Sequence, residues 1–264
     1  MKTWKEVEVE LNEWLANGQK GPVAVVKLAN ECVGWPYVFG AWGEECNPSN
    51  RKRRMRDDHP TIKSACQVLS GKKDSCSGCK WYPGGETVRM FDCRGFTDFV
   101  LNRGAGIDIK GEGATSQWNE SSNWSEKGTI DKMPKDKVCC AFRYNSSTGK
   151  MEHTLLYDGQ GNYIDCSSGV QKRAISKYKA THYAIPKGLY NGGDTPVPTP
   201  EKDKAIITGK NVALREGPST SNKIITRIPT NTIVDIAKEN DEWQLISYKG
   251  KVGYMMKAYI KEGQ

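Results

Sequence analysis

Apolar residues near the start of the chain recur at helical spacing: Trp4, Val7, Leu11, Trp14 and Leu15 fall on one side of residues 3–16. A second helix is predicted from Gly21-Pro22 through Val23, Val26, Leu28, Ala29 and Val33. Proline is admissible there because its missing N–H would have no partner in a first helical turn. A third amphipathic segment begins at Cys93 within residues 90–101. After Leu101 the chain is glycine-rich to about Gly113 and then polar, until strand-like runs appear at 138–144 and 152–157. A turn at 158–161 leads into 162–166, which reads as a hairpin. Helices first and an antiparallel sheet later make an α+β pattern.

Residues 187–204 combine Gly-Gly, three alternating prolines at Pro196, Pro198 and Pro200, and a charged tail, which reads as an interdomain linker. Beyond it, short β-rich runs at 205–208, 224–228, 232–237, 243–248 and 251–256, separated by turns, indicate a small all-β barrel. The expected organisation is a first domain over 1–186, with a Cys-rich insertion at about 43–88, and a second over 205–264.

Composition narrows the partners. A net charge of +8 suits nucleic acid, an anionic lipid surface, or a cell wall carrying teichoic acids and peptide carboxylates. No apolar run reaches the roughly 18 residues of a membrane span. The N-terminus is acidic and amphipathic, unlike a signal peptide, so the expectation is a soluble chain made in the cytoplasm. Nine cysteines, an odd number, all lie between Cys32 and Cys166, which favours thiols, metal ligands or catalysis over a disulfide framework.

Cys93 opens its helix, where unpaired backbone N–H groups and the positive dipole end favour thiolate. A nucleophilic thiol needs a base, and the histidines are only three: His59, His153 and His182. Within the insertion, Cys76-Ser-Gly-Cys79 has the bite for half a tetrahedral zinc site, which Cys46 and Cys66 could complete, with His59 as a substitute. Unligated thiols or a Cys76–Cys79 redox pair are the alternatives. The run Arg51–Arg56 reads as a solvated face, because no interleaved aromatics or nucleic-acid motif accompany it.

Four motifs in order, Tyr37-Val-Phe-Gly40, Asp92-Cys-Arg-Gly-Phe96, Pro134 through Phe142, and His153-Thr-Leu-Leu-Tyr157, resemble the NlpC-type cell-wall cysteine peptidases of the papain-like superfamily, over roughly residues 22–186. The resemblance implies that Cys93 attacks a peptide carbonyl and His153 relays the proton. It places Asp165 as the group that holds the imidazole, Tyr37 as an oxyanion donor, and Asp92 and Arg94 beside the substrate. His182 is left as a structural residue. Arg94 stands where the family usually has serine, and an arginine there could pair with a substrate carboxylate.

Residues 205–262, including 211–219, 234–236, 241–254 and 258–260, resemble a bacterial SH3-like domain. That resemblance implies wall attachment, with Trp243, Tyr248, Tyr254 and Tyr259 as candidate stacking residues. Together the halves imply a monomeric peptidoglycan hydrolase similar to a phage endolysin, needing no cofactor for catalysis and binding neither nucleic acid nor membrane. The family's usual bond lies between D-glutamate and the diamino acid. An N-acetylmuramoyl-L-alanine amidase, or a non-catalytic wall-binding or tail protein, are the alternatives.

Overall fold

A computed structural model describes residues 1–54, 66–73, 75–190, 203–215, 219–237, 242–248 and 251–262. The chain divides into two compact units, Met1–Val197 and Pro198–Gln264. The three alternating prolines and His59 lie outside the described residues.

In the first unit, α1 (Trp4–Ala16) begins with a capping box, Thr3 and Glu6 satisfying each other's exposed amides. Helix α2 (Pro22–Glu31) buries Val25, Leu28 and Ala29. It crosses α4 (Cys93–Ala105) at Gly104, where a Cβ would stand 2.7 Å from the Val25 nitrogen. Only glycine permits that approach. Strands β1 (Trp42–Glu45) and β2 (Arg89–Phe91) pair antiparallel, and short helix α3 (Pro48–Arg53) follows β1. The segment before β1 is tied to β2 as well: Phe91 N–H donates to Pro36 O at 3.2 Å, and Val38 N–H donates to Phe91 O at 2.7 Å.

Helix α5 (Ala114–Asn119) and strand β3 (Trp124–Thr129) then precede β4 (Val138–Asn145), β5 (Lys150–Asp158), β6 (Asn162–Cys166), β7 (Val170–Ala174) and β8 (His182–Pro186). The sheet order is β3-β8-β4-β5-β6-β7. Both faces of its centre are covered. Val138, Cys140 and Phe142 join the core beneath the helices, whereas Cys139 and Ala141 join a second cluster with Leu155, Tyr157 and Tyr163. A strand buried on both faces has no polar side, which is why 138–142 reads as a continuous apolar run.

Aromatic packing joins the helices to the site. Trp35 stacks on Phe91 at 6.1 Å, and Phe91 meets Phe96 and Phe99 at 5.7 and 5.0 Å. Such pairs contribute about 0.5–1.5 kcal/mol each beyond area burial.

The α+β layout expected from the sequence is present, with differences in detail. Helix α5 and strand β3 occupy a stretch that reads only as polar. The expected linker start at 187 is folded instead: Leu189 is fully buried and the Tyr190 hydroxyl donates to Val138 O at 3.1 Å. The insertion is anchored to the rest of the unit, since Cys46 N–H donates to Val88 O at 2.8 Å and Trp81 is buried.

The second unit is a seven-stranded antiparallel sheet of β9 (Asp203–Ile207), β10 (Val212–Arg215), β11 (Ile224–Ile228), β12 (Ile233–Ala237), β13 (Trp243–Tyr248), β14 (Lys251–Met256) and β15 (Ile260–Glu262), in the order β11-β10-β14-β13-β12-β9-β15. Ile207, Leu214, Ile228, Val234, Ile236, Ile246 and Met255 fill its core.

Candidate active site

Cys93 is the first residue of α4, half-buried, at the end of the β2 strand. Two features hold that helix start in place. Asp92 is the N-cap, its Oδ1 accepting from Gly95 N–H at 2.7 Å and its Oδ2 from Gly40 N–H at 3.0 Å. Gly95 lets the helix close on the 41–42 backbone, where a Cβ would fall 2.1 Å from Ala41 O. Burial raises the Asp92 carboxyl while the amides of Gly95 and Gly40 pull it down. As an ionised cap it only accepts hydrogen bonds, so it braces the nucleophile's helix rather than an oxyanion.

His153 lies on β5, 7 % exposed, with its Nε2 2.8 Å from Asp165 Oδ2 on β6. The Cys93 thiol also acts on the ring and raises it. With Nε2 committed to the carboxylate, Nδ1 is left to face the sulfur. Burial pushes the imidazole down, but the Asp165 and Cys93 contacts outweigh it and raise the group to about 9. The three residues named from sequence are therefore brought together as thiol, imidazole and carboxylate.

Arg173 on β7 completes this chain and was not anticipated. Its Nε and Nη2 reach Asp165 Oδ1 at 3.0 and 2.6 Å, and Nη2 reaches Oδ2 at 2.8 Å, while Asp165 itself is fully buried. The guanidinium lies 4.9 Å over the Tyr178 ring, whose centroid is 5.8 Å from that of His153. A basic residue eight positions after a buried carboxylate, across a hairpin, was the available signal.

Tyr37 forms an isolated bridge with Phe91, two residues before the nucleophile, and packs against the main core. Arg94 does not reach outward as expected. It is 7 % exposed, donates to Gly111 O at 2.8 Å, pairs with Asp98 at 2.8 Å and stacks 3.9 Å over Trp42. Burial holds Asp98 up to about 7 against the pull of that guanidinium. The helical i, i+4 spacing turns Arg94 along α4, so its role is to brace the helix and not to pair with a substrate carboxylate. His182 bonds the neighbouring Thr181 hydroxyl at 2.9 Å and meets Trp118 edge-on at 5.1 Å, a structural position.

The insertion cysteines share one neighbourhood. Cys46, Cys66 and Cys76 are buried in the main core. Burial raises Cys46 against the opposing charge of Arg51, and burial with the surrounding thiols lifts Cys76 to about 11. Arg51 is itself buried, with Nε and Nη2 each 3.3 Å from Cys46 Sγ and its guanidinium 5.1 Å over Trp81. Among the described residues no group of three or more His, Cys, Asp or Glu side chains is placed to hold a metal ion. Three of the thiols expected as zinc ligands, Cys46, Cys66 and Cys76, pack as small core residues, with Cys79 beside them. Arg51 likewise departs from the solvated face expected of its run, and Arg54 pairs with Glu44. No described helix is long and apolar enough to cross a membrane.

In the second unit Trp243 is 7 % exposed and Tyr248 packs against the barrel core. Tyr254 is half-buried. Tyr259, 43 % exposed, borders a cavity of about 270 Å³ that Lys210, Arg215, Arg227 and Trp243 also line.

Residues 210–261 match the family described as Bacterial SH3 domain. No curated protein matches the chain. Solved structures similar to it include a lipoprotein-like protein of the NLP/P60 family from Staphylococcus aureus subsp. aureus Mu50, 14% identical, with 59% of this chain and 36% of that one covered and a TM-score of 0.33. RipD from Mycobacterium tuberculosis, a non-catalytic NlpC/p60 domain protein adapted to a peptidoglycan-binding function, is 16% identical over 62% of this chain and 95% of its own, with a TM-score of 0.37. NlpC2 from Trichomonas vaginalis is 14% identical over 48% and 44%, with a TM-score of 0.21. The chain thus spans about a third of the staphylococcal protein and under half of the Trichomonas one.

Proposed function

We propose that this chain is a cell-wall hydrolase, a cysteine peptidase that cuts peptidoglycan peptide between D-glutamate and the diamino acid. The observation that carries the reading is the Cys93 thiol placed to act on His153, whose ring is hydrogen-bonded to buried Asp165. The bacterial SH3 match at 210–261 supports a wall partner.

In this mechanism the thiol proton passes to His153 Nδ1, and the sulfur attacks the carbonyl carbon. The oxyanion that forms is met by amides at the α4 start, where the first N–H groups have no intrahelical acceptor. The Cys93 amide is suited to this, since the Gly95 amide is taken by Asp92. Tyr37, beside Phe91, is the second donor in this reading. The C–N bond then breaks as imidazolium returns its proton to the leaving amine, leaving a thioester. Water, deprotonated by His153, hydrolyses that thioester to a carboxylate and restores the thiol.

Mass spectrometry of digested peptidoglycan tests the reading. The expected product carries a new N-terminus on the diamino acid and disappears with Cys93→Ala. A new N-terminus on L-alanine would convert the assignment to an amidase. Equal wall clearance by Cys93→Ala and the parent would mean that Cys93 is not the nucleophile.

A further inference from the structure

We propose that Arg173 is a positioning residue of this site: it fixes the Asp165 carboxylate and takes up part of its charge, so that His153 can release as well as accept a proton. The inference rests on the hydrolase reading above, and its first test does not require turnover.

Three contacts from one guanidinium, between 2.6 and 3.0 Å, occupy both oxygens of Asp165. Oδ2 is shared between Arg173 Nη2 and His153 Nε2, each at 2.8 Å. A fork–fork pair of this kind fixes the plane of the carboxylate as well as its position. The arginine is fixed in turn: Nη2 also reaches Ser167 Oγ at 3.2 Å, and the group stacks on Tyr178. Asp165 therefore cannot rotate without breaking contacts on the side away from His153.

The electrostatic consequence follows from the sharing. An isolated buried carboxylate beside imidazolium would hold that proton strongly and slow its return to the leaving amine. A second cation on the same carboxylate reduces that hold. The other groups facing His153 are the Cys93 thiol on α4, the Tyr178 phenol, and Arg143, its register partner on β4. Arg143 is engaged with Glu152 at 3.4 Å and stands 5.8 Å over the Tyr178 ring. Burial raises the Tyr178 phenol, which keeps it neutral. Arg173 is accordingly the cation set directly on the carboxylate.

The test is an NMR titration of the His153 ring in the full chain, assigned by its loss in His153→Gln. In Arg173→Gln the midpoint should rise by at least about half a pH unit, about a threefold change in the proton equilibrium. Arg173→Lys, which restores charge without the fork, should return it towards the parent. Hydrolysis of a soluble muropeptide by Arg173→Gln should show kcat reduced on the order of tenfold with KM unchanged. A folded Arg173→Gln protein whose imidazole titrates as in the parent would overturn the proposal. Should that variant not fold, Arg173→Met decides instead: a raised His153 midpoint with reduced kcat at unchanged KM supports the proposal, and a parental midpoint overturns it. Absence of wall cleavage by the parent protein would defeat the hydrolase reading while leaving the titration result intact.

Discussion

At the level of single residues, the site depends on how charge is shared around His153. Its imidazole is raised from an ordinary 6.5 to about 9, burial opposing and the Asp165 and Cys93 contacts prevailing. A histidine whose folded value is raised stabilises the fold fully below its unfolded value, and that contribution is lost as pH rises through the folded one. The difference in Tm between the parent and His153→Gln should therefore be largest near pH 6 and shrink between about pH 6.5 and 9. Thermal scans across that range check this, and a constant difference would contradict it. Cys93 and His153 were legible in the sequence because their motifs are short and ordered, and Asp165 only through what the family resemblance implies. Arg94 was legible only as a neighbour of the nucleophile, since nothing local reveals that Asp98, Gly111 and Trp42 absorb its guanidinium.

At the level of elements, the position of the thiol is set by the α4 start and its contacts with the 40–42 segment. Asp92 caps the helix and also binds the Gly40 amide, so Asp92→Ala should cost about 1–2 kcal/mol. Gly95→Ala should cost more, about 3 kcal/mol or above, because its Cβ would meet the Ala41 carbonyl at 2.1 Å, a backbone atom that cannot step aside. Urea unfolding of the two variants tests the ranking; a Gly95→Ala midpoint equal to the parent's would refute the close-packing account. The amphipathic helices and the strands at 138–144 and 152–157 could be read from periodicity. Helix α5 and strand β3 could not, because Trp124 is the only buried side chain of a strand otherwise largely exposed, which leaves no alternating pattern.

At the level of the whole molecule, the two units divide the work that the proposal assigns: one carries the thiol chemistry and the other a barrel with two aromatics and three cations around one cavity. Tyr259→Ala in the full chain should reduce retention on purified walls several-fold, on the order of 1 kcal/mol for a lost stacking face, and leave soluble muropeptide hydrolysis unchanged. Co-sedimentation measures the first quantity, and unchanged retention would remove Tyr259 from wall binding. By itself the sequence determined the order of elements and the separate β module, which rest on short spacings and local periodicity, while the choice of Cys93, His153 and Asp165 came from the motifs of the family resemblance. Only the tertiary structure decided that Arg173 shares Asp165, that Arg94 turns inward, and that the insertion thiols pack into the core. Those outcomes depend on which strands and helices become neighbours, and on the cost of leaving a buried charge without a partner.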